Sequence, residues 1–420
     1  MIGEEWRFWA PSGALTPGGP STWHILDWDQ RRVISVTVDE VQEDDELAIE
    51  HLKRHVESLD PGVYAIHVTM EGDLISVSTD PEDDAALCPY QPPLDEIQRP
   101  DWVKTILRSE LLELDRMTPN VDLVSYKPCD ETTTPRKVVF KYYFFLQFLH
   151  RRWDEMNLWI RLPSHPNIVP FDRIVIDEVN GNFVGFTTLF IPGGTIDDNT
   201  DRVFKLKWLK QLTQVVDDLN FKYGIVHQDI AARNLLVDPD TDALMVFDFG
   251  YSGRIGEHYD AKDRDDVKGV IFTLYEIITR DDHFRRVPFD KQNPADVEGM
   301  AEWVKHPDVK LDHPISEYRA VLDEWVKRRR EGKQISIYTE APEHIHWPEF
   351  KDPPAKQHTT PANEYCPTPY TYTSIPWAES RRFLPKDKVV YWERPPQNKL
   401  EPGTLLFSDG KIKGKQLDRE

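Results

Sequence analysis

The sequence predicts an α+β fold in which a strand-rich block precedes a helix-rich block. Between residues 105 and 190, short runs of alternating apolar and polar residues are typical of β-strands. Between residues 200 and 335, apolar residues recur at the spacing of helical turns, as in FKLKWLKQLTQVVDDLN and DDVKGVIFTLYEIIT. A small α/β pattern comes before these blocks and a proline-rich stretch follows them, so we expect two lobes with an extension at each end.

The composition is that of a folded protein with sizeable cores. The chain has 420 residues, of which 39% are hydrophobic and 30% charged, which is enough for two or three domains. Its 51 Lys and Arg residues against 73 Asp and Glu give a net charge of -22. Nucleic acids and anionic membranes are themselves negative, so we expect neither as a general partner, although a local basic pocket is compatible with this balance.

The cysteines and the N-terminal residues indicate a reducing compartment. Cys88, Cys129 and Cys366 are far apart in the sequence, so we expect neither a disulfide framework nor a cysteine zinc site. The first residues lack the charged and then apolar run of a signal peptide, and the longest aromatic run, 142–149, is too short to span a bilayer. We therefore expect a cytoplasmic or nuclear protein.

The stretch 1–100 predicts a small α/β extension that ends in a linker. The pattern predicts a strand at Arg32–Val38, a helix over 45–59 and strands over 63–70 and 73–78. The prolines and acidic residues of 80–100 are typical of a linker between this extension and the next block. We find no catalytic motif in this stretch.

Residues 101–335 form the main predicted domain. Strands are expected at 111–114, 121–126, 137–142, 174–177 and 183–190, with one helix over 145–162. These elements make an N-lobe over about 105–191, and the helices that follow make a C-lobe over about 192–335. The stretch 336–420 is rich in proline with scattered Trp, Tyr and His, so we expect a tail that packs in places and has no core of its own.

Two short motifs in the helix-rich block carry side chains suited to phosphate chemistry. The first has the form His227-x-Asp229-x-x-x-x-Asn234, and the second is Asp248-Phe-Gly250. Carboxylate and amide oxygens are the ligands that Mg²⁺ prefers, and a further carboxylate can position an acceptor hydroxyl. The two motifs therefore supply ligands suited to a hard cation and a carboxylate able to accept a proton.

These motifs, with three features upstream, resemble the signature of the eukaryotic protein kinase superfamily. The upstream features are Val138-Val-Phe-Lys141 at the end of a strand, Glu155 on the next helix, and the turn His165-Pro-Asn-Ile-Val169. The resemblance covers about residues 105–335 and implies a protein kinase-like two-lobe fold, with a strand-rich N-lobe and a helical C-lobe. It also implies ATP and Mg²⁺ as ligands and, by default, a hydroxyl on a protein as the acceptor.

For the phosphate-binding lysine, the resemblance points to Lys141. This side chain would contact the α and β phosphates of ATP, and a carboxylate from the next helix would fix its position. Glu155 is the expected carboxylate, and Asp154 is the nearby alternative. A solvated, charged helix face would also explain both acidic residues.

The resemblance gives the two motifs distinct roles. Asp248 and Asn234 would be the ligands of Mg²⁺. Asp229 would accept the proton of the incoming hydroxyl or simply orient it. Arg233, in an Ala-Ala-Arg-Asn arrangement like that of tyrosine kinases, would either place a guanidinium near the transferred phosphate or form a structural salt bridge.

The same resemblance implies an adenine pocket and two supporting residues. The expected pocket residues are Val139, Leu236 and the hinge residues Thr188, Leu189, Phe190 and Ile191. His227 would pack near Phe249. Asp266 would be the buried helix carboxylate that accepts hydrogen bonds from the backbone of the catalytic loop.

The sequence departs from the family pattern around the phosphates and after Asp248. No glycine occurs between residues 110 and 126, so backbone amides would approach the phosphates less closely. Val139 stands where the family has a smaller residue, and Gln228 stands where it has an arginine that reads an activating phosphate. The segment between Asp248 and Asp266 is short and lacks an Ala-Pro-Glu sequence, so the usual platform for a peptide substrate is not expected.

Three functions are compatible with this pattern. Transfer of the ATP γ-phosphate to a hydroxyl is favoured by the retention of Lys141, Glu155, Asp229, Asn234 and Asp248. A pseudokinase scaffold would explain the missing glycines and Gln228, and a kinase-like phosphotransferase for small molecules would explain the lost peptide platform. We favour active transfer because three carboxylates near one cleft repel each other unless a metal neutralises them.

Overall fold

The computed structural model describes residues 2–16, 18–128, 134–145, 149–362 and 367–415. Over these ranges the chain is a mixed α+β protein, as the sequence predicts. The α-helices are α1 (Glu4–Arg7), α2 (Glu46–His55), α3 (Leu149–Trp159), α4 (Leu206–Asp217), α5 (Asp266–Thr279), α6 (His283–Arg286), α7 (Ala295–Glu298) and α8 (Ile315–Glu331).

The β-strands are short and distributed along the whole chain. In the first half they are β1 (Phe8–Leu15), β2 (Ser21–Asp27), β3 (Arg32–Val38), β4 (Ala65–Val68), β5 (Leu74–Ser78), β6 (Leu87–Pro89), β7 (Lys104–Leu107), β8 (Leu112–Thr118), β9 (Val121–Tyr126), β10 (Arg136–Tyr142), β11 (Phe171–Ile176) and β12 (Phe183–Leu189). In the second half they are β13 (Val203–Phe204), β14 (Ile225–Val226), β15 (Leu235–Asp238), β16 (Ala243–Val246), β17 (Gly253–Arg254), β18 (Lys310–Leu311), β19 (Lys356–Thr360), β20 (Tyr370–Ser374), β21 (Ala378–Ser380), β22 (Thr404–Leu406) and β23 (Ile412–Lys415).

The chain divides into two compact units. The first contains Met1–Leu149, Asp172–Thr187 and Lys351–Glu420, and the second contains His150–Phe171 and Thr188–Phe350. Among the helices that the structure describes, none combines the length and the apolar character needed to cross a membrane.

A five-stranded sheet in the order β1-β2-β3-β4-β5 begins the first unit. β3 pairs with β4 in parallel, and the other neighbours are antiparallel. The predicted β3, α2, β4 and β5 are confirmed, whereas the β1–β2 hairpin is not predicted because β1 is largely exposed and a bulge between Trp9 and Ser12 interrupts its alternation. The buried core of this sheet consists of Ile25, Ile34, Val36, Val38, Ala48, Leu52, Val56, Leu59, Val63, Ile66 and Val68.

The proline-rich stretch 80–100, which we expected to be a linker, contributes a strand. Here β6 pairs with β21, which comes from the C-terminal stretch. A pair of three-residue strands tolerates proline because it needs few backbone N–H donors. On β6, Cys88 carries a free thiol whose pKa is raised by burial to about 11, whereas Cys129 and Cys366 lie outside the described residues.

The predicted N-lobe strands form a six-stranded sheet in the order β7-β11-β12-β10-β9-β8. β8 and β9 are joined by a tight turn at Pro119 and Asn120, and Asn120 adopts a φ of 64°. Of the helix expected over 145–162, the structure describes α3 at Leu149–Trp159, and residues 146–148 lie outside the described ranges. β7 is an additional strand that pairs in parallel with β11.

Buried charges attach the β8–β9 hairpin to both ends of the chain. Arg116 pairs with Asp122 at 2.6 Å and donates to the carbonyls of Trp28 and Asp29 at 2.8 and 2.7 Å. A second group at this hairpin joins Glu113 to Arg31 at 2.8 Å and to Arg394 at 2.6 Å. Because a buried charge is tolerated only with partners, these contacts fix the N-terminal sheet and the C-terminal stretch to the hairpin.

The second unit is built mainly of α4, α5 and α8. Their apolar sides are buried, and Asp217 at the end of α4 accepts hydrogen bonds from Trp325 and Arg329 of α8. The predicted helices over 204–220 and 265–279 are confirmed as α4 and α5, and the Asp265 side chain caps α5 by accepting from the Lys268 N–H. The antiparallel pair β15–β16 lies in the same unit and leads into the two motif loops.

Candidate active site

The loop between β14 and β15 holds three of the predicted site residues together. Asn234 donates through Nδ2 to the side chain and to the backbone carbonyl of Asp229, both at 2.8 Å. The other carboxylate oxygen of Asp229 accepts from Arg233 at 2.5 Å. Asp229 is therefore fixed by donors on both oxygens, and the Arg233 guanidinium forms an ion pair with it across one turn of the loop.

A buried carboxylate on α5 holds the backbone of this loop. Asp266 accepts from the N–H groups of His227 at 2.8 Å and Gln228 at 2.7 Å, and from the Asn220 amide at 2.8 Å. Burial raises the pKa of this carboxyl, and His227 and the N–H donors act against the rise. The role predicted for Asp266 is confirmed.

The second motif follows β16 and lies beside the first. In the β15–β16 pair, Leu235 stands opposite Val246, so Asn234 and Phe247 continue from neighbouring strand ends. The N–H of Phe247 donates to the Asn234 carbonyl at 3.3 Å. Asp248 therefore directly follows Phe247, the residue that is hydrogen-bonded to Asn234.

Asp248 has an unusual backbone conformation. Its φ is 64°, in the left-handed region that non-glycine residues rarely adopt, and its Oδ1 accepts from the Gly250 N–H at 3.2 Å. Such conformations cost free energy and persist where the surroundings impose them. At this site the turn from Asp248 to Gly250 supplies that constraint and restrains the carboxylate.

The aromatic residue of the second motif is packed against the first. The Phe249 ring lies 5.1 Å from the His227 ring and 5.0 Å from the Trp159 ring, centroid to centroid. His227 also contacts the Phe247 carbonyl through Nε2 at 3.1 Å. The predicted contact between His227 and Phe249 is confirmed, and His227 is fully buried.

Glu155 and Asp154 lie in different surroundings on α3. Glu155 is buried, pairs with Arg152 at 2.7 Å, and its Oε2 lies 3.6 Å from where a Cβ on Gly250 would stand. Asp154 instead accepts from the Trp347 indole at 2.8 Å, and burial raises its pKa from 3.8 to about 6. Of the two acidic residues, Glu155 is therefore the one beside the second motif.

The first unit carries two of the predicted site residues. Lys141 is buried on β10 opposite Val121 of β9, and Val139 stands two residues earlier, opposite Leu123. Residues two apart on a strand point to the same face, so the predicted phosphate-binding lysine and the predicted adenine contact share one face of the six-stranded sheet.

The predicted hinge residues and the predicted adenine contact Leu236 lie in the second unit. The Leu189 N–H donates to the Pro170 carbonyl at 3.0 Å, and Thr188 is buried. Leu236 on β15 pairs with Met245 and forms a β-bridge with Thr195. Phe190 and Ile191 are partly exposed at the start of the connection to that bridge.

The sequence pattern misses three partners of these residues. Arg152 pairs with Glu155, Gln228 binds the segment after Asp248, and Trp347 binds Asp154. Arg152 lies one helical turn before Glu155, and from this i,i+3 spacing the ion pair could have been predicted. The partners of Gln228 and Trp347 depend on distant backbone positions, for which a sequence pattern carries no signal.

The donor chemistry at the two motifs fits a Mg²⁺ ion. Because Nδ2 of Asn234 donates to Asp229, its amide oxygen remains to bind a cation, and Phe247, which is bonded to Asn234, directly precedes Asp248. Across the described ranges, no three His, Cys, Asp or Glu side chains group as a metal site. Asn234 and Asp248 would be the protein ligands of a hard cation at these loops.

Comparison with protein-family models and with curated proteins finds no match for this chain.

Proposed function

We propose that the protein is an ATP- and Mg²⁺-dependent phosphotransferase of the protein kinase type, which transfers the γ-phosphate to a hydroxyl. The observation that carries the proposal is the arrangement of Asp229, Asn234 and Asp248, which two adjoining loops hold in restrained positions. Glu155 beside the second motif and Lys141 on β10 support it. The two-lobe kinase-like fold is part of the same proposal, supported by the sheet in the first unit and the helices in the second.

The chemistry assigned to this site needs few covalent steps from the protein. The acceptor oxygen forms a bond to the γ-phosphorus, the bond from that phosphorus to the β-phosphate oxygen breaks, and ADP leaves with the electron pair. Asp248 and Asn234 would hold Mg²⁺, which would neutralise charge on the phosphates when bound. Asp229 takes up the acceptor proton or orients the hydroxyl, because each of its oxygens retains a second lone pair beside the bond it already accepts.

A cleft of about 360 Å³ in the second unit begins at Arg233, the partner of Asp229. Four of the basic side chains that line it are already paired with carboxylates: Arg233 with Asp229, Arg280 with Asp308, Arg285 with Glu276 and Lys310 with Asp201. The cleft therefore selects no sign of charge on the acceptor, and a hydroxyl on a protein stays the proposed acceptor.

One observation favours a second function, nucleotide binding without turnover. The β8–β9 turn consists of Pro119 and Asn120, so it has neither a glycine nor the length to surround a phosphate with backbone amides. A scaffold that binds nucleotide through the remaining residues is the alternative that this turn supports.

Transfer of labelled phosphate separates the two functions. The full-length protein is incubated with Mg²⁺ and γ-labelled ATP, alone and with cell extract fractionated into proteins and metabolites. We expect label on a protein fraction. Asp229→Asn, which keeps the shape of the side chain, is the matched control and should lose the label.

Two results would overturn the proposal, and a third would change the acceptor. Equal labelling by Asp229→Asn and the parent protein would assign the activity to a contaminant or to another residue. Binding of ATP with no labelled fraction at all would support the scaffold, and label in metabolites alone would identify a small-molecule acceptor.

A further inference from the structure

The segment 336–350, which we call the strap, follows α8. Along its length it is hydrogen-bonded to other parts of the second unit. The Tyr338 N–H donates to the Ile255 carbonyl at 2.8 Å. Farther along, Glu343 and Ile345 donate to the carbonyls of Lys222 and Tyr223 at 3.0 and 3.1 Å. The strap is thus attached by its main chain to the segment after Asp248 and to the turn that follows α4.

Two glycines allow the strap to approach this closely. A Cβ on Gly224 would lie 2.5 Å from the Tyr338 carbonyl oxygen, and one on Gly256 would lie 2.5 Å from the Ser336 carbonyl oxygen. Both glycines also have positive φ, 71° and 80°, which side chains disfavour. The surface below the strap therefore fits it through backbone contacts that other residues would prevent.

At the far end of the strap, one tryptophan of the strap and one of α3 each donate an indole hydrogen bond to the other segment. Trp347 of the strap donates to Asp154 of α3 at 2.8 Å, and Trp153 of α3 donates to the Pro348 carbonyl at 2.8 Å. The Phe350 ring completes the contact, with centroids 4.5 Å from His150 and 5.7 Å from Trp153. Both tryptophans are buried, so these bonds are shielded from water.

Between the two ends, the strap encloses an arginine from the segment after Asp248. The Arg254 guanidinium lies 5.2 Å from the Tyr338 ring and 4.8 Å from the Trp347 ring, and it contacts Nδ1 of His346 at 3.0 Å. Stacking on two rings restrains β17, where Arg254 lies. The same Trp347 therefore contacts both α3 and the segment after Asp248.

We propose that the strap is a positioning element that fixes α3 and the segment after Asp248 in the arrangement of the active site. Asp154 and Glu155 are consecutive on α3, so a rotation that displaced Glu155 from Gly250 would also break the bond from Trp347 to Asp154. This inference rests on the proposed phosphotransferase function, but its structural part can be tested without activity.

Trp347→Phe is the informative change, because it keeps a ring against Arg254 and removes only the indole N–H. We expect kcat to fall about tenfold, as for loss of a hydrogen bond to a buried charged group. Asp154→Asn keeps an acceptor for the indole and should stay within about threefold of the parent, whereas Asp154→Leu should resemble Trp347→Phe. Trp6→Phe, at a tryptophan that is 65% exposed, is the matched control and should have no effect.

The double variant tests the coupling between strap and helix. In the Asp154→Leu background, Trp347→Phe should change kcat by less than about twofold, since the bond it removes is already absent. Full and independent losses from the two changes would contradict the proposal, and so would a Trp347→Phe protein of unchanged kcat.

Hydrogen exchange separates failure of the strap from failure of the proposed function. In Trp347→Phe, amides of α3 and of residues 250–264 should exchange about tenfold faster, while those of the five-stranded sheet stay unchanged. Faster exchange in a protein with no turnover would retain the strap and reject the phosphotransferase. Unchanged exchange would reject the strap; if Trp347→Phe does not fold, Gly256→Ala, which displaces the strap by contact with Ser336, is measured in its place.

Discussion

Gln228 donates a hydrogen bond from its side-chain amide to the backbone carbonyl of Tyr259, over 2.7 Å. The same nitrogen donates to the Tyr251 carbonyl at 2.7 Å, and the amide oxygen accepts from the Ala261 N–H at 2.6 Å. Three neutral hydrogen bonds from one buried side chain therefore close the short segment after Asp248. In the family that the sequence resembles, the residue here is an arginine that needs a phosphate on this segment, whereas Gln228 binds the backbone directly.

The first prediction is that activity does not depend on phosphorylation of this segment. Gln228 offers no cation to a phosphate on Tyr251 or Tyr259, and Arg151 and Arg264 already stack on the unmodified Tyr251 ring, 4.7 and 4.3 Å from its centroid. The Ser252 hydroxyl is buried and bonded to the His227 carbonyl at 3.3 Å. Phosphatase-treated protein and the triple variant Tyr251→Phe, Ser252→Ala, Tyr259→Phe should keep most of the rate. A loss of about tenfold, restored by rephosphorylation, would contradict this reading.

The second prediction is that Gln228→Glu destabilises the protein more than Gln228→Ala. The carboxylate keeps the acceptor for Ala261 but places negative charge against the carbonyls of Tyr251 and Tyr259, so it costs more than removing the three bonds. We expect about 2 kcal/mol of unfolding free energy for Ala and more for Glu, measured by urea titration at pH 7. Gln357→Glu on exposed β19 is the control and should change stability little. An equal loss of unfolding free energy in this control would mean that added charge alone is responsible, and not the three hydrogen bonds of Gln228.

The third prediction separates nucleotide binding from chemistry. Asp229 is engaged by Arg233 and Asn234, and in the proposed function it orients the acceptor, so Asp229→Asn should lower kcat by about 100-fold or more and leave the Kd of Mg²⁺-ATP unchanged. Asp248→Asn would remove a proposed metal ligand and should weaken both. Calorimetry and initial rates on the same preparations provide the comparison; weaker nucleotide binding by Asp229→Asn would place that side chain among the ligands of Mg²⁺-ATP.

The fourth prediction is that Mg²⁺ and ATP stabilise the protein only together. In the proposed function, Asp248 and Asn234 would bind the metal and Lys141 would bind the phosphates, so each component alone would lack part of the contacts. At about 100 times Kd the gain should be about 2.7 kcal/mol, seen as a rise in Tm. Lys141→Met is the control and should reduce the shift, and a rise of equal size with Mg²⁺ alone would indicate a metal site unrelated to nucleotide.

The sequence pattern predicts elements well where one face is buried and repeats regularly. β9 has such a pattern, whereas β3 and α5 are more completely buried apolar runs. The role of Asp266 was predicted from the family resemblance and not from a hydrophobic pattern. β1 and the strands of the C-terminal stretch were missed, since each is short or irregular and exists through a distant partner, as β21 does through β6.

At the candidate site, the family resemblance predicts which side chains meet but only part of what they bind. Gln228 illustrates the limit. Its neutral amide was evident from the sequence, yet its bonds to Tyr251, Tyr259 and Ala261 depend on the path of the following segment. Asp154 and Glu155 are likewise equivalent in sequence and are distinguished only by the strap and by Gly250.

The last prediction concerns the buried charges of the first unit. Burial alone would raise the pKa of the Glu113 carboxyl. The guanidinium groups of Arg31 and Arg394 outweigh this effect and hold that pKa below its usual value of 4.5. A carboxyl with a lowered pKa stabilises the fold fully above its unfolded pKa, and this stabilisation is lost as pH falls through the folded value. Arg394→Met leaves Glu113 with Arg31 alone and should cost about 3 kcal/mol at pH 7, because a buried partner is removed.

The pH dependence identifies the cause of that loss. The difference in unfolding free energy between the parent and Arg394→Met should be largest at pH 6–7 and should shrink below about pH 4, where protonation of Glu113 weakens the pair in the parent as well. Urea titrations at pH 3.5, 5 and 7 give the comparison, with Arg382→Met, at an exposed arginine of the same stretch, as the control. A difference that is the same at all three pH values would show that Arg394 acts through the packing of its side-chain carbons and not through its charge.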